Sequence, residues 1–419
     1  METRKPKQPF GHTGRMKLVA VFVLASVAVF ILASTALRSC YSEEDTSAVR
    51  PFPTPVELSI GEQFDFHPKK LSGFDSYHFI SGKEGEFWVL LDEMFEPLMA
   101  ARVTKGTKPS LESISPHDWA DVGRVSVTND DSGNPVVIMM GYVQDAGNTQ
   151  VVVRKCSGHE WTEPVQLDRF DGSGTLGSMV SLLDSKGRIH VVYDRKLALR
   201  ESYGIMHGQF PDKCFHASFD GKNWSRARST TGKGKFYVDP RFLSELPDTK
   251  ICLGMRVHPF SAFGYKAEYV GYQLWNGERW SSIAEGPPKE APSGAEGQPV
   301  FDYWGNSISR LSKDGRDHCV LKKRGSDSVE NVPLLSEPVL KRDRSGRIII
   351  CSWDSTQGEI RLWNGDQWAE NLSYPLDLEV RTTQILSNPD GNVFLIHKGE
   401  SRIVIQQIKV TPKKEEPRK

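Results

Sequence analysis

The chain has 419 residues, and its 53 lysines and arginines are matched by 53 aspartates and glutamates. That balance excludes a dedicated nucleic-acid binder, which would carry a basic excess or patch. The many glycines (36), prolines (25) and aromatics (10%), without long helical periodicity, favour short strands joined by turns, in two or three average domains or one large repeat.

In chain order, residues 1–17 form a basic N-terminus with Arg4, Lys5, Lys7, Arg15 and Lys17. Residues 18–37, LVAVFVLASVAVFILASTAL, carry no charge and are long enough to cross a bilayer as a helix. Glu43, Glu44 and Asp45 follow closely. Positive charge stays on the cytoplasmic side, so the rest of the chain is expected outside the cytoplasm, periplasmic or at the cell surface. Three readings stay open: an uncleaved signal anchor, a cleaved signal peptide for which Met16 is an alternative start, and a lipoprotein signal acylated at Cys40. Arg38 is a poor fit to the last. Residues 38–54, rich in Ser, Glu, Thr and Pro, read as an extracytoplasmic tether, and 411–419 as a charged tail. Cys156, Cys214, Cys252, Cys319 and Cys351 form no CxxC and no metal pattern. They are expected as small buried apolar residues, with at most one or two disulfides.

Between these ends two phrases alternate. The first reads RKCSGHEWTE (154–163), ASFDGKNWSR (217–226), QLWNGERWSS (273–282) and RLWNGDQWAE (361–370). A glycine always precedes a tryptophan by three positions: Gly158 and Trp161, Gly221 and Trp224, Gly277 and Trp280, Gly365 and Trp368. Ser157, Asp220, Asn276 or Asn364 stands before the glycine, which predicts hairpin tips needing positive φ. The second phrase is a glycine-centred turn followed by an apolar run: DSGNPVVIMMGY (131–142), DSKGRIHVVYD (184–194), RSGRIIICSWD (344–354) and PDGNVFLIHKG (389–399). Weaker copies lie at 83–92, 247–256 and 303–312. Runs this continuous predict strands buried on both faces. Units of about 40–60 residues are the size of four-stranded propeller blades.

The fold expected is therefore all-β, a seven-bladed β-propeller over 55–410, preceded by an N-terminal transmembrane or signal helix. With strands A to D counted from the axis outwards, the second phrase is the A–B turn with strand B, and the first is the C–D turn. Blade 5 carries a degenerate C–D turn at 324–332. In blade 7 the last strand found is 402–410, which would be strand C, so PVELSI (55–60) is expected to supply the fourth strand and close the ring.

The Gly-x-x-Trp hairpins after apolar strands resemble the sialidase-type propellers whose repeats are called BNR repeats or Asp-boxes. That family places an Asp two residues before the Gly, where this chain has Cys156, Phe219, Trp275 and Trp363. The resemblance implies that A–B and C–D turns share one face, while B–C and D–A connections build the ligand-binding face. Most B–C connections are short (354–358, 398–401, 144–148), but those at 194–213 and 257–268, in adjacent blades 3 and 4, are long. Long loops on a rigid scaffold are where function concentrates.

The first long connection carries Asp194, Arg195, Arg200, Glu201, Tyr203 and His207; the second carries His258, Phe260, Phe263 and Tyr265, just after Arg256. Such a mixture suits an acidic polysaccharide, with aromatic faces on sugar rings and arginine on carboxylate or sulfate. Tyr203, His207, His258 and Tyr265 are candidate catalytic groups for proton transfer, as in seven-bladed polysaccharide lyases of similar appearance. Starts of inner strands are expected at the same mouth: Asp121 and Arg124, Asp239 and Arg241, Asp302 and Tyr303, and Arg381. The candidate substrate-binding set is Arg124, Asp194, Arg195, Asp239, Arg241, Arg256 and Arg381. The resemblance implies an arginine triad, for which Arg124, Arg241 and Arg381 are the candidates, although the Arg-Ile-Pro signature is absent and no Tyr and Glu pair can be assigned. His190, inside an apolar run, is expected as a satisfied core histidine.

No HExxH, P-loop, GxSxG or Rossmann fingerprint occurs, so neither metal nor cofactor is expected. The expected function is a membrane-tethered, monomeric extracytoplasmic propeller binding a glycan or protein partner through the loops of blades 3 and 4. The alternative is a carbohydrate-active enzyme, a polysaccharide lyase or glycoside hydrolase, acting on an acidic polysaccharide.

Overall fold

A computed structural model describes residues 55–413, less 67–75, 83–85, 93–95, 104–110, 120, 144, 172–177, 196–212, 231–235, 262–263, 266–268, 286–287, 289–290, 292–295, 314–315, 335–337, 389–390 and 401. The segment at 18–37, the tether and Cys40 lie outside the described residues. Among those described, no helix is long and apolar enough to cross a membrane.

Seven antiparallel sheets are formed, each with a path of four strands. Their innermost strands are Ser76–Ser81, Asp121–Asn129, Met179–Leu183, Phe236–Glu245, Glu296–Phe301, Val339–Arg342 and Thr382–Ser387. Each packs on the next and the seventh on the first, which makes a closed seven-bladed propeller. Every blade is flanked by two others, so both faces of its second strand are dry and its sequence has no reason to alternate. Ile138, Met140 and Val151 of blade 2 accordingly pack on Ile189, Val191 and Tyr193 of blade 3. Cys156, Cys214, Cys252, Cys319 and Cys351 are all buried, one in each of blades 2 to 6, and burial pushes the Cys156 and Cys351 thiols up to about 11 and about 12.

The Gly-x-x-Trp phrases are the C–D hairpin tips. Gly158, Gly221, Gly277 and Gly365 have φ of 67°, 96°, 102° and 98°, a region open to glycine at no steric cost. The side-chain oxygens of Asp220, Asn276 and Asn364 each accept N–H bonds from the residues two and three further on. Each tryptophan then pairs back across the tip, with Cys156, Phe219, Trp275 or Trp363. The place that holds Asp in the family pattern is therefore used here for packing, with ring centroids 5.2–5.6 Å apart in the three aromatic pairs.

Ring closure follows the expectation and extends it. Val56–Phe66 is the outermost strand of the last blade, antiparallel to Ile403–Pro412, with Val56 opposite Pro412, Ile60 opposite Ile408 and Phe66 opposite Ile403.

Candidate functional site

At the B–C end the blade 4 connection is not a loop. Its inner and second strands, Phe236–Glu245 and Ile251–Ser261, run for 10 and 11 residues. They stay paired from Glu245 and Ile251 to Phe236 and Pro259. The second strand then folds back through Gly264–Tyr265, which pairs with Phe260 and Ser261. A β-hairpin therefore projects where the sequence suggested an irregular insertion. A register shift between Pro240 and Phe242 leaves Arg241 as the extra residue. Proline lacks the ladder N–H and is accommodated in strands at such bulges. Phe242 then lies over bare Gly254, where an added Cβ would meet the ring at 2.2 Å.

This register brings part of the expected set together. Asp239 stands opposite Arg256, Tyr237 opposite His258 and Phe260 opposite Tyr265. Asp239 is 8% exposed. Its Oδ2 pairs with Arg241 at 2.8 Å, while its buried Oδ1 has no hydrogen-bond partner among the described residues. Arg256 is exposed on the neighbouring strand. The cluster is thus one recessed carboxylate with two arginines around it, at the foot of a projecting hairpin.

Other expected residues are engaged elsewhere. Arg195 is clamped by Asp168 of blade 2, through Nε at 2.8 Å and Nη2 at 2.5 Å, and lies 3.6 Å over the Phe215 ring. Tyr193 donates to the same carboxylate at 2.6 Å, and burial first, then the Asp168 charge, raises its phenol pKa. Arg195 therefore ties blade 2 to blade 3. Asp194 is fully buried, its N–H donating to Ser178 O at 3.1 Å. In the arginine set, Arg124 donates to Gly123 O at 2.8 Å and Arg381 pairs with Glu400 at 2.9 Å. Tyr203 and His207 lie outside the described residues. Asp302 and Tyr303 require a correction: they follow the end of the inner strand Glu296–Phe301, so they belong to the A–B turn at the opposite end.

That opposite end holds a pattern missed in the sequence. In all seven A–B turns the first residue's N–H bonds the carbonyl of the fifth: Gly82 to Glu86, Asp130 to Asn134, Asp184 to Arg188, Leu246 to Lys250, Asp302 to Asn306, Asp343 to Arg347 and Asn388 to Asn392. In four of them the signal was Asp-x-x-Gly-Asn/Arg, with the Asp three places before the glycine. The Asp302 carboxylate accepts from the N–H groups of Trp304, Gly305 and Asn306 and from the side chains of Asn306 and Trp363. Burial nevertheless raises its pKa. Burial acts the same way on Asp184, but bonds from His190 and the Arg188 backbone outweigh it and hold the carboxyl at about 2.

His190 is the satisfied core histidine expected, 3.2 Å from Asp184 Oδ2 and 3.0 Å from His216. Burial, helped by the His190 and Arg188 charges, lowers His216 to about 3. In blade 7, His397 touches Tyr374 OH at 2.7 Å and Thr383 Oγ1 at 2.9 Å, and burial lowers it to about 4.

No protein-family model and no curated sequence matches the chain. Solved structures similar to it include an α-L-arabinanase of Penicillium chrysogenum in complex with arabinobiose, at 14% identity and a TM-score of 0.43, covering 86% of this chain and 98% of that one. The polysaccharide lyase Uly1 is similar at 10% identity and a TM-score of 0.43, covering 77% and 87%. An intramolecular trans-sialidase of Ruminococcus gnavus is similar at 11% identity and a TM-score of 0.40, covering 70% and 94%.

Proposed function

We propose that this chain is a glycan-recognising propeller, held at the outer face of a membrane by residues 18–37, that binds an acidic polysaccharide at the B–C end of blade 4. The observation that carries the reading is the Asp239, Arg241 and Arg256 cluster beside the projecting hairpin. A guanidinium pairs with a carboxylate through parallel N–H bonds. Arg256, exposed on the neighbouring strand, meets a uronate in this reading, and Asp239 Oδ1 accepts from a sugar hydroxyl. His258 and Tyr265 extend the surface along the hairpin, and Tyr203 and His207 of blade 3 join it in this reading.

A second reading has one observation in its favour. A recessed carboxylate with an unanswered oxygen is suited to take a proton, so Asp239 would be the general base of a lyase or hydrolase. The test is retention of the full-length protein on immobilised polygalacturonate, with dextran as the neutral control. Arg256→Ala is expected to weaken retention at least tenfold without moving the melt, and equal retention on dextran would end the acidic-glycan reading. Shortening of the polymer that disappears in Asp239→Asn would replace binding by catalysis. For the anchor, protease added to intact cells is expected to digest the propeller; full protection would overturn the orientation.

A further inference from the structure

The innermost strands of all seven blades enclose a cavity of about 370 Å³ on the propeller axis. Its wall mixes apolar, neutral polar and charged side chains. Gln298 Nε2 donates to Leu243 O at 3.3 Å, Gln384 Nε2 to Phe79 O at 3.4 Å and Ser244 Oγ to Pro299 O at 3.1 Å. Both glutamine amides thus spend a donor on the wall, while their Oε1 atoms accept no hydrogen bond from the described residues.

The charged groups bordering the cavity can be matched one to one. Glu245 has Arg342 at 2.6 Å, Asp184 has Arg188 at 2.7 Å, and Asp343 has Arg347 at 2.6 Å. Arg344 donates to the carbonyls of Asp130 and Asp131 and lies in the field of both carboxylates. One charge is left over. Lys341, on the inner strand of blade 6, reaches blade 7 and donates to Ile385 O at 3.0 Å, with no carboxylate of the described residues paired to it. Burial pushes its amine down to about 8, because an ammonium that gives up water for one carbonyl is under-compensated.

We infer that the axial cavity binds a small hydroxylated carboxylate of monosaccharide size, its carboxylate on Lys341 Nζ and its hydroxyls on Gln298 and Gln384 Oε1. A single unmatched cation suits a monoanion better than a phosphate dianion, and the free amide acceptors call for hydroxyl donors. The volume lies at the lower end of the range for small-molecule sites, roughly 300–1,000 Å³. This site is separate from the blade 4 cluster and does not rest on it.

Calorimetric titration of the full-length protein with glucuronate tests the assignment. Lys341→Met is expected to weaken binding at least tenfold, and glucose and acetate each to bind far more weakly than glucuronate. Affinity is expected to fall as pH rises through about 8, where the amine of the free protein loses its proton. Because no carboxylate among the described residues is left stranded, Lys341→Met is expected to keep or raise the melting temperature. Acylation of wild-type Lys341 followed by mass spectrometry is an independent measurement, and glucuronate is expected to slow it at least fivefold. Unchanged affinity in Lys341→Met, equal binding of glucose or acetate, or an acylation rate indifferent to glucuronate would each overturn the site. Loss of glucuronate binding in Arg256→Ala alone would assign it to blade 4 instead.

Discussion

The two ends of the propeller are built on different rules. At the A–B end seven turns repeat one first-to-fifth backbone bond, and blade 6 reaches across the axis, Arg342 to Glu245 of blade 4 and Arg344 to the Asp130 and Asp131 carbonyls of blade 2. At the B–C end the connections differ from blade to blade, and Asp239 keeps an oxygen without a partner among the described residues. A repeated, backbone-bonded turn is what a scaffold needs, and an unanswered polar atom is tolerated where something else is to be bound.

Breaking the A–B end should cost most. Glu245→Ala strands Arg342, whose side chain is 11% exposed, and removes the acceptor of the Ser185 N–H at 2.9 Å. A loss of about 3–5 kcal/mol is expected from denaturant unfolding. The matching change at the other end, Asp239→Asn, removes a pair with a half-exposed arginine and should cost only about 0–1 kcal/mol. Equal losses would erase the contrast between the two ends.

Acid should act at both ends at once. His216 lies beside the Asp184 turn and His397 beside Thr383 at the start of an inner strand, held at about 3 and about 4. Both fall below the unfolded value of about 6.5. Between these values the unfolded chain binds more protons than the folded one, so their contribution is fully present above about pH 6.5 and is lost as pH falls. The slope is about 1.4 kcal/mol per pH unit for each histidine. Denaturation midpoints measured from pH 7 to 4 should therefore drop steadily, and a flat profile would contradict the buried neutral state.

The smallest expected effect lies in one turn. Thr249, with φ of 63°, occupies the place that Gly133, Gly187, Gly305, Gly346 and Gly391 take in five other A–B turns. A left-handed β-branched residue costs about 1–2 kcal/mol and glycine's extra chain entropy about 0.5–1 kcal/mol. Thr249→Gly should then gain about 0.5–1 kcal/mol, and a loss would show that the threonine side chain supports the turn.

The fold was legible because each hairpin tip needs a residue of a particular kind. Positive φ at Gly158, Gly221, Gly277 and Gly365 left a mark at every copy, and so did dry strands flanked by two neighbours. The site was less so. Strand content in 257–265 was hidden by Pro259 and by aromatic residues that suit loops and hairpins equally. The Asp at the head of the A–B turns was visible, and in one quoted copy it is Asp184, but it was not read as part of the repeat, which led to Asp302 being placed at the wrong end. Arg342 and Glu245 are 97 residues apart and Arg344 and Asp131 are 213 apart. Such partners leave no local trace, and neither does Lys341, whose meaning depends on seven strands meeting at an axis.

The clasp between Val56–Phe66 and Ile403–Pro412 also imposes an order on biosynthesis. Bonded partners across it, such as Glu62 and Gln407, are separated by 345 residues. The earliest strand of the propeller waits, unpaired, until the last has left the ribosome. Until then the growing protein is an open horseshoe whose two rims are the apolar faces that later meet as Phe79, Phe87, Phe394 and Ile396. Exposed rims and an unpaired strand edge invite association with other nascent chains. A nascent chain cut short before Ile403 would keep six complete blades and still have no way to hide that seam.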